Sequence, residues 1–147
     1  MWEYEHIITT TASPAQVWAY YLDTNAWPEW NVTMEKMQLD GAFKAGTTGV
    51  ILAKEMGGHS ADPAPFKLLE VAENEGFTQE TEITAQVKMH STSKITPLSD
   101  GGSEIQQKMV FIGEGSEAMG ADLGELLKQN LITGLEAFKK AVETRSS

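Results

Sequence analysis

The feature that most constrains this chain is a single change of hydrophobic period. From Val32 to Glu114 the pattern alternates in short runs broken by turn residues. From Ser116 onward, Met119, Leu123, Leu126, Leu127, Leu131, Leu135, Phe138 and Val142 recur at spacings of three and four. Period two is the signature of a half-buried strand, and the 3/4 spacing that of an amphipathic helix. One helix over residues 116–144, about 40 Å long at 1.5 Å per residue, therefore follows a long series of strands. A sheet of antiparallel strands with one apolar face needs a cover, and this helix is the natural one.

The start of the chain adds a strand and two short helices. Trp2, Tyr4, His6 and Ile8 fall on one face of an alternating segment. Ser13-Pro14-Ala15-Gln16 is a helix start: serine caps, proline suits the first turn, and Gln16 can return a hydrogen bond to the cap. Val17, Trp18, Tyr21 and Leu22 give that helix an apolar side, Asp23-Thr24-Asn25 ends it, and Ala26–Trp30 reads as a second short helix with two tryptophans around Pro28. Six further strands are expected at Val32–Leu39, Thr47–Lys54, Pro65–Asn74, Phe77–Thr84, Val87–Pro97 and Ser103–Gly113. Asp40-Gly41, Glu75-Gly76 and Asp100-Gly101-Gly102 mark turns. Glu55–Ala64, rich in glycine and proline, reads as a mobile loop. Gly120, Gly124 and Gly134 each weaken the last helix by about 1 kcal/mol relative to alanine; they imply either close packing on the sheet or a functional gap.

At 147 residues the chain is one domain, residues 1–147, with 41% hydrophobic content to build a core. Twenty-one acidic residues against eleven basic ones leave a net charge of −10, which argues against nucleic-acid or polybasic membrane partners. The absence of cysteine excludes disulfide scaffolds, thiol catalysis and cysteine-ligated metal. No apolar run is long enough for a membrane span, and the N-terminus does not read as a signal peptide. The expectation is a cytoplasmic protein, monomeric or homodimeric, with no stable membrane insertion.

Ser13-Pro14-Ala15-Gln16-Val17-Trp18, Leu22-Asp23, Asn25-Ala26-Trp27-Pro28-Glu29-Trp30-Asn31 and Gly41-Ala42-Phe43-Lys44-Ala45-Gly46-Thr47, in this element order, resemble the Bet v 1-like or START-like (SRPBCC) superfamily, in particular its bacterial polyketide cyclase/dehydrase branch. The resemblance implies an α+β helix-grip fold: a seven-stranded curved antiparallel sheet wrapped around the C-terminal helix, with a cavity between them. It also implies a hydrophobic, lipid- or polyketide-like ligand, with enzymatic activity in only some members.

Alternation supplies a candidate lining: Tyr4, His6, Leu52, Phe66, Phe77, Gln79, Met89, Met109, Phe111, Leu127 and Asn130. Val50, Thr81, Ile83, Gln107, Leu123 and Leu131 share the inward parity. Five polar groups on that face (His6, Gln79, Thr81, Gln107 and Asn130) fit a wet cavity, because a buried polar group needs a partner. His6, with Tyr4 beside it, is the candidate proton shuttle of a cyclase or dehydratase, or a structural histidine. Trp27 and Trp30 could stack on a flat ligand at a cavity mouth, or anchor the short helices. Three scattered histidines lack metal-site spacing, and His59 with Asp62 is the nearest approach to one; no metal is expected. Gly113-Glu114-Gly115 fails the dinucleotide-loop pattern, so no cofactor is expected. Binding of a hydrophobic or aromatic small molecule is the first reading, and cyclase/dehydratase-type catalysis the alternative.

Overall fold

Ser13 sets the geometry of the N-terminal third. Its hydroxyl accepts from the Gln16 amide at 3.2 Å, and the Gln16 side chain accepts from the Ser13 amide at 2.8 Å. This reciprocal cap satisfies two orphan donors and turns the chain from strand β1 (Trp2–Thr10) into helix α1 (Pro14–Leu22). A 3-10 turn at Thr24–Ala26 and the four-residue helix α2 (Trp27–Trp30) follow. The computed structural model describes residues 2–31, 34–53 and 63–146. Of the expected 55–64 loop, residues 55–62, including His59 and Asp62, lie outside the described residues.

Six more strands follow: β2 (Met34–Leu39), β3 (Thr48–Ala53), β4 (Ala64–Ala72), β5 (Gly76–Glu82), β6 (Val87–Pro97) and β7 (Ser103–Gly113), then helix α3 (Ser116–Ser146). The sheet is antiparallel throughout, in the order β1-β7-β6-β5-β4-β3-β2. Chain neighbours pair directly except that β1 closes on β7, so the first strand and the last flank the base of α3. Register shifts at Met34/Lys36 and Leu68/Glu70 interrupt β2 and β4, and such bulges bend a sheet and increase its twist. Gly113 and Gly115, with φ of 112° and 88°, make the turn from β7 into α3, a left-handed conformation that glycine adopts without a Cβ penalty.

The concave face is lined by alternate residues. Phe77, Gln79 and Thr81 of β5, Ser93 and Ile95 of β6, and Ile105, Met109 and Phe111 of β7 are all buried. Against them α3 buries Leu135, Phe138 and Val142. An aromatic cluster fills the space beneath the short helices: Tyr21 stacks on Phe138 with centroids 4.6 Å apart, and Phe77 meets Tyr21 at 5.1 Å, Phe43 at 5.1 Å and Trp27 at 5.8 Å. The C-terminal end of α3 is held by Arg145, whose guanidinium donates to Asp23 at 2.8 Å and lies 4.6 Å over the Tyr20 ring.

Three sequence expectations are corrected. In β3 the inward residues are Gly49 and Ile51, not Val50 and Leu52. Ile51 packs on the core opposite the buried Met37, which puts Leu52 on the other face. A Cβ at Gly49 would lie 2.6 Å from the Phe66 ring, so the glycine makes room for that phenylalanine. Ile83 lies past the end of β5 and is exposed, as is Leu123 on α3. Among the described residues no helix is long and apolar enough to cross a membrane.

Candidate functional site

Two neighbouring chambers of about 190 and 210 Å³ lie on the concave side of the sheet, the first between the sheet and α3 and the second between the sheet and α2. They share Trp30, Asn31, Met89, Ser91 and Gln107 as a common wall. The first is walled by Leu127, Asn130, Leu131, Gly134 and Leu135 of α3 and by Met109 of β7. The second reaches deeper across the sheet, to Phe77, Gln79 and Thr81 on one side and Met34, Ile51 and Ala64 on the other. Each is larger than the roughly 150 Å³ apolar cavity that accepts benzene.

The first chamber exists because a bent sheet and a helix touch along a line and not over an area. Helix α3 comes close at two places where it has glycine. At Gly124 a Cβ would lie 3.1 Å from the Trp2 indole nitrogen, and at Gly134 one would lie 2.9 Å from the Trp30 carbonyl oxygen. Between these points Leu127, Asn130 and Leu131 stand off from β6 and β7, and the space between them is the first chamber. Gly120 and Gly124 thus serve close packing on Trp2 of the sheet, the first of the two alternatives drawn from the sequence, whereas Gly134 packs on α2 and lines the first chamber.

Of the residues expected to line the cavity, Phe77, Gln79, Met89, Met109, Leu127 and Asn130 do so. Tyr4, His6, Phe66 and Phe111 lie on the concave side of their strands without lining either chamber, and Leu52 is on the opposite face. Tyr4 pairs with Met109 and His6 with Gln107 across β1 and β7, one strand further from the space. The Tyr4 ring instead faces the Lys128 ammonium at 5.4 Å. Phe66 occupies the space over Gly49, and Phe111 packs on Trp2 at 5.1 Å. His90 is on the outer face, with Nε2 2.8 Å from Glu80 Oε2.

Sequence reasoning left out Ser91, Ser93, Asn31 and Gly134 as lining residues. Ser91 and Ser93 share the parity of Met89, so alternation alone could have found them; serine on an apolar face was the unused signal. The polar side chains of the lining are partly paired with one another. Ser93 Oγ donates to Gln107 Oε1 at 2.6 Å, and Gln79 Nε2 donates to Thr81 Oγ1 at 3.2 Å. Behind Ser93 lies Tyr21, fully enclosed, its phenol pushed up to about 12 by burial, with the Ser93 hydroxyl opposing that rise. The two indoles of α2 differ. Trp27 Nε1 donates to the Tyr21 carbonyl at 2.8 Å. Trp30 Nε1 is buried and has no hydrogen-bond partner among the described residues.

The lining side chains are aliphatic, aromatic, methionine, amide and hydroxyl. Among the described residues no titratable side chain lines either chamber, and no group of three His, Asp or Glu stands where it could hold a metal ion. Such a surface can take up an apolar molecule and hydrogen-bond to it at a few points.

The family model described as polyketide cyclase/dehydrase and lipid transport matches residues 1–143. A search of curated protein sequences finds no match. Among solved structures, the chain is similar to Ara h 8.0201, with a TM-score of 0.78 and 19% identity over 97% of this chain and 98% of that one. It is similar to the ZhuI aromatase/cyclase from Streptomyces sp. R1128, with a TM-score of 0.79 and 14% identity over 99% and 96% of the two chains. It also matches the di-domain aromatase/cyclase StfQ of the steffimycin biosynthetic pathway, with a TM-score of 0.74 and 13% identity, covering 98% of this chain and 51% of StfQ. At these identities the likeness is one of fold.

Proposed function

The chain belongs to the polyketide cyclase/dehydrase and lipid transport family, and from that premise we propose that it binds a hydrophobic or aromatic small molecule in the cavity between the sheet and α3. The observation that carries this reading is the pair of neighbouring chambers that share Trp30 and Met89, the first also walled by Met109 and Leu127, with amides and hydroxyls at intervals. Pockets for small molecules are built in this way, mostly apolar with a few placed polar groups. Two methionines in the wall suit an irregular occupant, because the unbranched thioether adapts its shape. Unfilled, such volume is costly, at roughly 24 cal/mol per Å³ in engineered cavities. The net charge of −10 fits a protein that stays in the aqueous phase and away from nucleic acid; we place it in the cytoplasm, as a monomer or homodimer.

The second reading, cyclase or dehydratase chemistry, is favoured by the aromatase/cyclase neighbours. It needs a proton-transferring group at the substrate. His6 and Tyr4, its candidates, stand one strand away from the chambers, which supports binding over turnover.

The test is titration of an environment-sensitive apolar dye into the wild type and a Leu127→Trp variant. Saturable fluorescence with the wild type, weakened at least tenfold by the added indole, is expected. Equal binding by both, or none by either, would mean that the space does not take up ligands. A His6→Ala variant separates the two readings: dye affinity within about twofold of wild type is expected for a binding protein, whereas a cyclase that used His6 would lose turnover.

A further inference from the structure

We propose that Gln107 is the specificity-determining residue of the two chambers, presenting its amide N–H groups to a bound molecule, and that Ser93 is the positioning residue that holds the amide in that orientation. This rests on the binding function above and assigns the side chain that reads the ligand. Three observations carry it.

The first is a hydrogen-bond chain that runs in one direction. Ser93 Oγ lies 2.6 Å from Gln107 Oε1, and the phenol of Tyr21, behind it, is hydrogen-bonded to the same serine. Ser93 has one proton to donate. If that proton went to Tyr21, the phenol's own proton would have no acceptor, on a residue only 1% exposed, and an enclosed unpaired donor is costly. With Tyr21 donating to Ser93 and Ser93 donating to Gln107, every hydroxyl proton is used. The 2.6 Å separation agrees, being within the range of O–H···O contacts and below the roughly 2.7 Å at which N–H···O bonds begin. Oε1 therefore faces the serine, and Nε2 is turned away from it.

The second is what Nε2 meets. Gln107 is half-buried and lines both chambers. Its side chain makes no other hydrogen bond among the described residues. Yet Nε2 is not sealed. Among the described residues, the one fully covered side-chain nitrogen or oxygen without a partner is Trp30 Nε1. An unpaired Nε2 therefore keeps open surface, in the wall that the two chambers share.

The third is the contrast with the other polar groups of the sheet lining. Gln79 directs its amide nitrogen to Thr81 Oγ1 at 3.2 Å. Ser91 carries a hydroxyl, which donates or accepts by rotating and so does not discriminate. A held amide NH₂ only donates. Fixed from behind by two groups, it meets a ligand acceptor with little rotamer freedom left to lose, and a ligand donor placed there would stay unpaired.

Two naphthalenes of one shape are the probes: 6-propionyl-2-(dimethylamino)naphthalene and its 6-propyl analogue, which lacks the acceptor. Both should bind wild type. Gln107→Leu should weaken the ketone about three- to tenfold, as the loss of one hydrogen bond predicts, and the alkyl compound less than twofold. Ser93→Ala, which leaves the amide in place, should also weaken the ketone at least threefold and spare the alkyl compound. Added to Gln107→Leu, Ser93→Ala should change ketone affinity less than twofold further, because the serine acts through the amide. A measurement on wild type needs no variant: the Gln107 side-chain amide proton resonances should move downfield with the ketone and clearly less with the alkyl compound. Equal weakening of both probes by Gln107→Leu, or equal movement of the resonances, would overturn the assignment of Gln107 while leaving the binding function intact. A Ser93→Ala effect on the ketone that is as large with Gln107→Leu as without it would overturn the positioning role. Failure of wild type to bind either probe would remove the binding function itself, and the assignment with it.

Discussion

Trp2 and Gly120 are in direct contact: a Cβ at Gly120 would overlap the Trp2 side chain, which lies flat along α3 where the helix begins. This contact joins the first strand to the last helix across nearly the whole chain length. It sets how closely α3 approaches β1, and so how far the helix stands from β6 and β7 where the chambers open.

Gly120→Ala should therefore destabilise the protein even though alanine is the better helix former. The propensity gain is about 1 kcal/mol, and overpacking costs about 1–3 kcal/mol or more. The clash involves Trp2 Cβ at 2.6 Å, so the strand backbone and not only a mobile ring must yield. At Gly124 the contacts are 3.1–3.3 Å and confined to the outer indole, so Gly124→Ala should lie within about 1 kcal/mol of neutral. In a Trp2→Ala background Gly120→Ala should become stabilising. Urea melts of wild type, Gly120→Ala, Gly124→Ala, Trp2→Ala and the Trp2→Ala/Gly120→Ala double variant check the order.

Trp27→Ala should cost about 3–5 kcal/mol, the range for large aromatic deletions in a core. Its ring touches Trp30, Phe43 and Phe77 and is buried. Trp27→Phe should cost less, because most of the packing remains and the hydrogen bond to Tyr21 is what goes. Equal melting temperatures for Trp27→Ala and wild type would place the residue at the surface.

Alkaline unfolding should follow the tyrosines of α1. The phenols of Tyr21 and Tyr20 are both raised to about 12, each first by burial; Tyr20 is raised further by the charge of Glu29 and the hydrogen bond to it, and opposed by Arg145. A phenol whose folded value exceeds its unfolded value of about 10 favours the fold fully below pH 10. That contribution declines between pH 10 and 12, as the unfolded state ionises first. Stability measured by urea should fall with pH across this window, and the fall should be shallower in Tyr21→Phe. Phenolate absorbance from Tyr21 well below pH 12 without unfolding would contradict the enclosure of that ring.

On the outer face of the sheet, Glu80 is held below the usual carboxylate range, first by the hydrogen bond to His90 and then by Lys88. A depressed carboxyl contributes stability that is present above its unfolded value and lost as pH falls through the folded one. His90→Gln should move the Glu80 midpoint upward in a carbon-13 NMR titration. An unmoved midpoint would mean that Lys88 alone sets it.

The faces of β5, β6 and β7 were legible because each alternates a side chain with a clear preference. Phe77, Gln79, Met89, Gln107 and Met109 follow parity to the concave side. Parity failed in β3 because Gly49 has no side chain to signal its direction, so Val50 and Leu52 read as the apolar pair. Only the position of Phe66, one strand over, shows that the glycine faces inward. Leu123 failed for a related reason: the helical period marks a stripe, but the concave face of the sheet does not extend far enough to cover all of it.

What the sequence determined by itself was the list of elements, their order, the cap at Ser13, the turns and the fold that follows from them. These depend on local periodicity and on residues whose backbone preferences act within a few positions. The tertiary structure alone decided the cavity and its polar points. Empty volume is what remains after distant side chains have packed, and no single residue encodes it. Likewise the Trp30 N–H lacks a partner because of where Tyr21, Trp27 and Phe138 hold its ring, whereas the neighbouring Trp27, identical in type and in the same short helix, finds one.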